Sequence, residues 1–169
     1  AVGTSGTASI RFQNDNERSR ITSNYDSGGG GRLGFWTDNT SGTLLQRVTI
    51  KSNGNVGVGT SSPSTSLELS NGATAPKLRL SNESNTVAAG GDLGVIEFYS
   101  GDNSNSGDSV QASLSVIQPT TDNVSGEFVF KTSNAVVSSG ALTEKMRITK
   151  DGNVGIGTTT PTEVLHLKQ

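Results

Sequence analysis

Residues 52–63 read SNGNVGVGTSSP, and residues 150–161 repeat nearly the same phrase as KDGNVGIGTTTP. In each copy an Asn-Gly or Asp-Gly pair stands between two runs in which apolar and polar residues alternate. Such pairs accept positive φ at both central positions of a type I′ turn, which joins the strands of a hairpin. Each phrase therefore predicts the turn and return strand of a β-hairpin. The turn residues are Asn53, Gly54, Asp151 and Gly152.

The return strand that follows each turn has one face of branched apolar residues and one face of glycines. A bare strand face costs stability and usually indicates another backbone lying close against it. We expect these faces to pack at a crowded contact, either between strands or between chains. A phosphate-binding loop is the alternative, but the GxxGxG order is reversed, no helix follows and a proline comes soon after. The glycines concerned are Gly57, Gly59, Gly155 and Gly157.

The repeat extends beyond this phrase. Residues 42–69 align without gaps on residues 140–167, at an offset of 98 positions. A repeat of this kind usually marks a repeated supersecondary unit. We therefore predict two related modules, residues 1–75 and 76–169, the second longer through an insert near 84–112.

Two weaker matches extend the modules upstream. GRLGFWT (31–37) is similar to the sequence around 126–132, and ASIRFQN (8–14) is similar to PKLRLSN (76–82). Both pairs place apolar residues at every second position, so we expect each segment to be a half-buried strand.

Alternation at period two runs through both modules, whereas an apolar stripe at helical spacing is never sustained over three turns. The sequence thus predicts an all-β fold of short antiparallel strands, sandwich-like within each module. Around 93–98 the phase of the alternation slips, which suggests a bulge. The alternating pairs are Ile10/Phe12, Leu33/Phe35, Val48/Ile50, Leu67/Leu69, Leu78/Leu80, Leu114/Val116, Phe128/Phe130, Met146/Ile148 and Leu165/Leu167.

The amino-acid composition excludes several classes of function. Leu, Ile, Val and Phe make up 38 of the 169 residues, so the core should be thin and a partner chain is expected to supply stability. With 13 basic and 15 acidic residues, no basic stripe is available for nucleic acid. No apolar run is long enough to insert into a membrane, and without cysteine there is neither a disulfide framework nor a thiolate metal site. We expect no cofactor.

Segments 47–69 and 145–167 resemble the GNVGIGT repeats of phage tail fibres and tailspikes, which often stand upstream of a self-cleaving intramolecular chaperone. The resemblance covers about a quarter of the chain and implies an elongated homotrimeric fibre on the virion surface. It also implies contact with other virion proteins and with host-surface glycans. Because the chaperone is not in this sequence, the resemblance predicts an excerpt or a processed product.

Three aromatic residues are the candidates for glycan binding: Trp36, Tyr25 and Tyr99. Trp36 follows Phe35 on a predicted strand, so it should face outward if Phe35 faces inward, and Tyr99 follows Phe98 in the same way. An exposed aromatic ring can stack on a sugar while its polar atom forms a hydrogen bond. Alternatively, Trp36 covers a seam between subunits.

Catalytic and metal sites find little support in the sequence. The single histidine, His166, lies between two strand leucines and has no evident partner ligand. Glycan cleavage needs two carboxylates in one groove, and the acids here are scattered. The GDNSNSGD loop (101–108) could offer oxygen ligands to calcium but lacks EF-hand spacing. The expectation is a non-enzymatic fibre segment; the alternatives are a glycan-binding module, a capsid-surface decoration protein or a depolymerase.

Overall fold

The computed structural model describes residues 7–14, 16–25, 30–101, 109–121, 124–133 and 142–168. It divides the chain into two compact units, Ala1–Leu78 (unit 1) and Arg79–Gln169 (unit 2). Every regular element in the described residues is a β-strand, so the all-β prediction is confirmed. Those residues include no helix of the length and apolarity needed to cross a membrane.

Each unit is one six-stranded sheet whose strand order follows the sequence. Unit 1 contains β1 (Ala8–Asn14), β2 (Asn16–Tyr25), β3 (Gly31–Asp38), β4 (Leu44–Ile50), β5 (Val56–Val58) and β6 (Leu67–Leu69). Unit 2 contains β7 (Asp92–Ser100), β8 (Ser109–Ile117), β9 (Glu127–Ser133), β10 (Leu142–Ile148), β11 (Val154–Ile156) and β12 (Leu165–Leu167).

The strands of a unit do not form two packed layers, so the sandwich-like arrangement expected within each module is not found. Neighbouring strands are antiparallel except for the last pair of each unit, β5–β6 and β11–β12, which is parallel. A parallel neighbour requires the chain to cross back over the sheet before the next strand begins. Residues 59–66 and 157–164 make these two crossovers.

The hairpin turns differ in type from the sequence prediction. Lys51 O accepts a hydrogen bond from Gly54 N (2.9 Å), while Lys51 N donates to Asn55 O (2.9 Å). Together with the φ of +88° at Gly54, this is a three-residue loop ending in a glycine bulge, and not the two-residue type I′ turn. The same pattern recurs at Asn39–Thr43 and at Thr149–Asn153.

The segment PKLRLSN (76–82) is not a strand of either sheet, contrary to the sequence prediction. In the strand order of unit 2, the place that β1 holds in unit 1 is taken by β7, so residues 92–100 are part of the repeated architecture and not of an insert. Register shifts occur at Asp92/Gly94 and Phe98/Tyr99, but the pairing is regular from Gly94 to Phe98. Val95 and Ile96 therefore lie on opposite faces of β7, and the bulge predicted from the slip of the apolar phase is not found between them.

Among the described residues, more polar than hydrophobic side chains are buried, which is the reverse of the usual pattern in globular proteins. Only two hydrophobic side chains there, Ile117 and Val129, are buried. The buried polar residues outnumber them, and they are Thr22, Thr49, Ser113, Ser115, Gln118 and Glu127. The face of each sheet that the chain covers is therefore largely polar, and the apolar residues must lie elsewhere.

Candidate interaction surface

The apolar residues of unit 1 form two rows, interrupted only at Ser23, across one face of its sheet, which we call apolar face 1. The register of five successive strand pairs places them side by side. The first row is Ile10, Ile21, Phe35, Val48, Val58 and Leu69; the second is Ala8, Ser23, Leu33, Ile50, Val56 and Leu67.

Unit 2 repeats the arrangement on apolar face 2. Its first row is Ile96, Leu114, Phe130, Met146, Ile156 and Leu167; its second is Gly94, Val116, Phe128, Ile148, Val154 and Leu165. Neither face carries a charged residue in its rows.

Both faces are open to solvent in the single chain. Ile10 is 63% exposed on apolar face 1, and Phe128 is 49% exposed on apolar face 2. Monomeric proteins rarely expose a contiguous apolar patch of this extent, and larger ones mark interaction sites. The two faces are therefore the principal candidate site of the chain.

One position of apolar face 2 is filled from outside the sheet. Gly94 has no side chain, and Leu80 lies over it: a Cβ added to Gly94 would be 2.9 Å from the Leu80 Cβ. An apolar groove of about 300 Å³ remains beside it, lined by Leu80, Leu93, Ile96, Leu114, Val116 and Phe128 among others. Leu80 thus fills the Gly94 position of the second row but leaves the rest of apolar face 2 uncovered.

The glycine faces of the return strands lie on the opposite side of each sheet and contact their own chain. Gly57 is buried, and a Cβ there would be 2.6 Å from Thr60 O and 3.2 Å from Pro63 Cδ. Gly155 meets Thr158 O at the same 2.6 Å. The crowded contact predicted for these glycines is therefore made by the crossover that follows each strand.

Gly59 and Gly157 serve a different purpose, which is to turn the chain out of the return strand. Their φ angles are +80° and +74°, a region that L-residues avoid. A Cβ on Gly59 would collide with Ser70 O, and one on Gly157 would be 2.7 Å from Lys168 O. Both conformation and space exclude a side chain at these positions.

Trp36 lies on the polar face of unit 1, opposite Phe35, and its indole is half-buried. Its Nε1 donates a hydrogen bond to Thr22 Oγ1 (3.0 Å). The Arg20 guanidinium carbon lies 4.6 Å from the ring centroid, so the cation stacks on the indole. One ring face and the polar atom are thus already engaged within the chain.

Tyr25 and Tyr99 are more accessible, at 50% and 61% exposure. Tyr25 ends β2 on the side of apolar face 1, opposite Gly31, whereas Trp36 is on the other side of the sheet. The structure therefore does not bring these two predicted sugar-stacking residues together. Tyr99 lies on β7 of unit 2.

The polar face of unit 2 holds an ion cluster that sequence reasoning missed. Arg147 binds Glu144 through two hydrogen bonds (2.7 and 2.8 Å) and Glu127 through a third (2.6 Å). The hydrogen bonds that Arg147 donates to the Glu144 carboxylate raise the pKa of Arg147 above its ordinary value. Both carboxylates are occupied by one guanidinium and do not line an open groove, so the cluster is built for structure. Its acids are 17 residues apart in sequence, which hides the cluster from motif reading.

A hydrogen-bonded contact links each crossover to the short strand that follows it. Ser64 donates to Glu68 Oε2 from its backbone N (2.9 Å) and from its Oγ (3.0 Å), and these bonds lower the pKa of Glu68. In unit 2 the corresponding pair is Thr162 and His166, with Thr162 N donating to His166 Nδ1 at 3.4 Å. The lone histidine thus has a local structural partner.

The described residues bring no three His, Cys, Asp or Glu side chains together in a group able to hold a metal ion. The candidate calcium loop falls almost entirely outside the described residues, since only Gly101 of 101–108 is among them.

Comparison with known proteins yields little. No family model matches the chain, and no curated protein sequence matches it. Among solved structures, the carboxy-terminal domain of the bacteriophage T5 L-shaped tail fibre aligns with 94% of this chain and 80% of its own length. The identity is 10% and the TM-score 0.34, and we base no inference on a likeness at this level.

Proposed function

We propose that this chain is a non-enzymatic structural segment of a phage tail fibre or another virion fibre, in which copies of the chain associate through apolar faces 1 and 2. The observation that carries the proposal is the inverted burial pattern. Each sheet has its buried polar residues on one face and leaves two apolar rows uncovered on the other. Burial of apolar surface is the main stabilising contribution to folding and association, so these rows require a partner.

A second copy is the partner that fits best. Because the rows contain no charged residue, like faces can meet without like-charge repulsion. Both units also present the same pattern, so one mode of association serves the whole chain. Closed symmetric assemblies of identical chains are the common outcome of such surfaces.

The number of copies and the setting come from the resemblance of the GNVGIGT segments (47–69 and 145–167) to phage fibre proteins. That family implies a homotrimer, a virion surface location and contact with other virion proteins. Attachment to host-surface glycans belongs to the same proposal. A capsid-surface decoration protein would use the apolar faces in the same way.

The proposal is tested by placing a charge in an apolar row. Phe128→Asp should dissociate the assembly, because each carboxylate would be buried without a counter-ion. Val164→Asp is the control, since Val164 is also an exposed apolar residue (77%) but lies on a crossover outside the rows. Native mass by light scattering is the readout. If Phe128→Asp retains the native mass of the parent chain, apolar face 2 is not an interface.

Glycan binding is a second candidate, favoured by the exposed rings of Tyr25 and Tyr99. On this account Tyr25→Ala or Tyr99→Ala abolishes binding on a glycan array while the assembly persists. Equal binding by both variants and the parent chain would exclude these tyrosines from recognition.

A further inference from the structure

We propose that residues 77–81 form a seventh strand on the outer edge of β6 in a neighbouring copy of this chain. The inference rests on the self-association proposed above and specifies one of its contacts. It accounts for a segment that has the sequence of a strand but no strand partner in its own chain.

The segment KLRLS alternates apolar and polar residues, as β1 does. Its residues are all exposed, with Leu78 at 66% and Leu80 at 47%. Within the part of the chain that the structure describes, the backbone N–H and C=O groups of 77–81 form no hydrogen bond. Covering the two leucines in an assembly would remove water from this backbone, which would then require hydrogen-bond partners.

The outer edge of β6 offers such partners. Ser66 O and Ser70 N bond to β5, so the alternate residues Leu67 and Leu69 direct their backbone groups to the other side. β6 ends its sheet, and no described strand follows it there. Thr65 Oγ1 donates a hydrogen bond to Leu67 O (3.0 Å), whereas no side chain among the described residues bonds the backbone of Leu69 on that edge.

The two segments also complement each other in sequence. Leu67-Glu68-Leu69 and Leu78-Arg79-Leu80 carry opposite charges between paired leucines. Aligning Glu68 with Arg79 puts the four leucines on one side and extends both rows of apolar face 1, whether the new strand runs parallel or antiparallel. In this arrangement Leu80 leaves Gly94 of its own chain and joins the row of the neighbouring copy. Opposite charges across neighbouring strands are favourable by a few tenths of a kcal/mol.

Other outer edges fit less well. On β1, Arg11 would face Arg79, and like charges directly opposite are destabilising. On β12, the residue that corresponds to Glu68 is His166. The outer edge of β7 is already approached by its own chain, because Asn82 Nδ2 donates to Asp92 O (3.0 Å).

Hydrogen exchange of the unmodified assembled chain tests the pairing. We expect the amides of 77–81 to exchange at least about tenfold more slowly than those of 71–75, since each new hydrogen bond adds up to about 1.5 kcal/mol. Residues 71–75 are an internal control because they are also exposed and lie outside any strand. Equal exchange rates in the two segments would overturn the proposal.

Disulfide trapping identifies the partner. The chain has no cysteine, so Glu68→Cys with Arg79→Cys introduces the only two thiols. Directly opposed strand residues are close enough for a disulfide. Oxidation should give covalent multimers, whereas no cross-link, or a link within one chain, would contradict pairing between copies. A monomeric parent chain would instead refute the proposed function, and an oligomeric parent without cross-links would refute only this contact.

Discussion

Gly57 shows how a single residue type is selected by packing. Its missing side chain lets the crossover place Thr60 O 2.6 Å from where a Cβ would stand. We expect Gly57→Ala to lower the free energy of unfolding by about 1–3 kcal/mol, the usual cost of overpacking. Urea denaturation of the assembled protein measures it.

Gly72→Ala is the control for this experiment, because nothing lies within 4 Å of its added Cβ and its φ is not positive. If Gly57→Ala were as stable as Gly72→Ala, the crossover would not pack on the glycine face. The equivalent change at Gly155 should behave like that at Gly57, since its contact with Thr158 O has the same length.

Glu68 gives a pH-dependent prediction. The two hydrogen bonds from Ser64 favour the carboxylate and lower the pKa of Glu68. A lowered folded-state pKa means that the group stabilises the fold above its ordinary pKa, and that this contribution is lost as pH falls through the folded-state value. Carbon-detected NMR titration should give Glu68 a pKa below that of an ordinary glutamate, and Ser64→Ala should raise the pKa of Glu68 again. An unchanged titration in Ser64→Ala would exclude the Oγ contribution.

The hairpin turns illustrate what residue identity can and cannot predict. Asn53-Gly54 and Asp151-Gly152 correctly marked the bends, because glycine at positive φ is needed there. The loop length was wrong, since a type I′ turn and a three-residue loop with a glycine bulge both place Gly at positive φ. The hydrogen bonds from Gly54 N to Lys51 O and from Lys51 N to Asn55 O distinguish them.

At the scale of elements, the ion cluster links β9 and β10 on the polar face of unit 2. Arg147→Ala would leave Glu127, whose side chain is 8% exposed, without its counter-ion. We expect a loss of about 3–5 kcal/mol in the free energy of unfolding, the usual cost of breaking a buried pair from one side. Differential scanning calorimetry can follow it.

The position equivalent to Arg147 in the first module is Thr49, which is fully buried with no partner for its Oγ1. Thr49→Val should therefore change stability little, or raise it, because a buried hydroxyl without a hydrogen bond is replaced by a methyl group. If Thr49→Val lowered the free energy of unfolding as much as Arg147→Ala does, the Thr49 hydroxyl would contribute as much to stability as the ion pairs of Arg147, contrary to this prediction.

Strand prediction succeeded where alternation was strongly apolar and failed where it was not. β3–β4 and β9–β10 follow the predicted pairs, but β2 was missed because its NERSRITSNY sequence has Ile21 as its only aliphatic residue. The parallel pairing of β6 with β5, and of β12 with β11, could not be predicted. The direction of each of these strands is set by the crossover before it, and a three-residue strand carries no sequence pattern that indicates direction. The segment 76–82 has strand periodicity without a partner, which a single sequence cannot distinguish from a paired strand.

At the scale of the whole chain, the thin core expected from composition has a specific cause. The apolar residues are numerous enough to form four rows, but the rows face outward, and only Ile117 and Val129 are buried among the described hydrophobic residues. Sequence periodicity correctly placed these residues on one side of each strand. It could not tell which side the chain itself covers, because that depends on Gly57, Gly155 and the crossovers packed against them.

In the proposed assembly, apolar faces 1 and 2 are buried between copies of the chain. The native mass of the unmodified protein, measured by multi-angle light scattering, tests this burial. The proposed assembly predicts three times the chain mass of 17.4 kDa, unchanged on dilution through the micromolar range. A stable, folded species with the mass of one chain would contradict it, because both faces would then remain open to water.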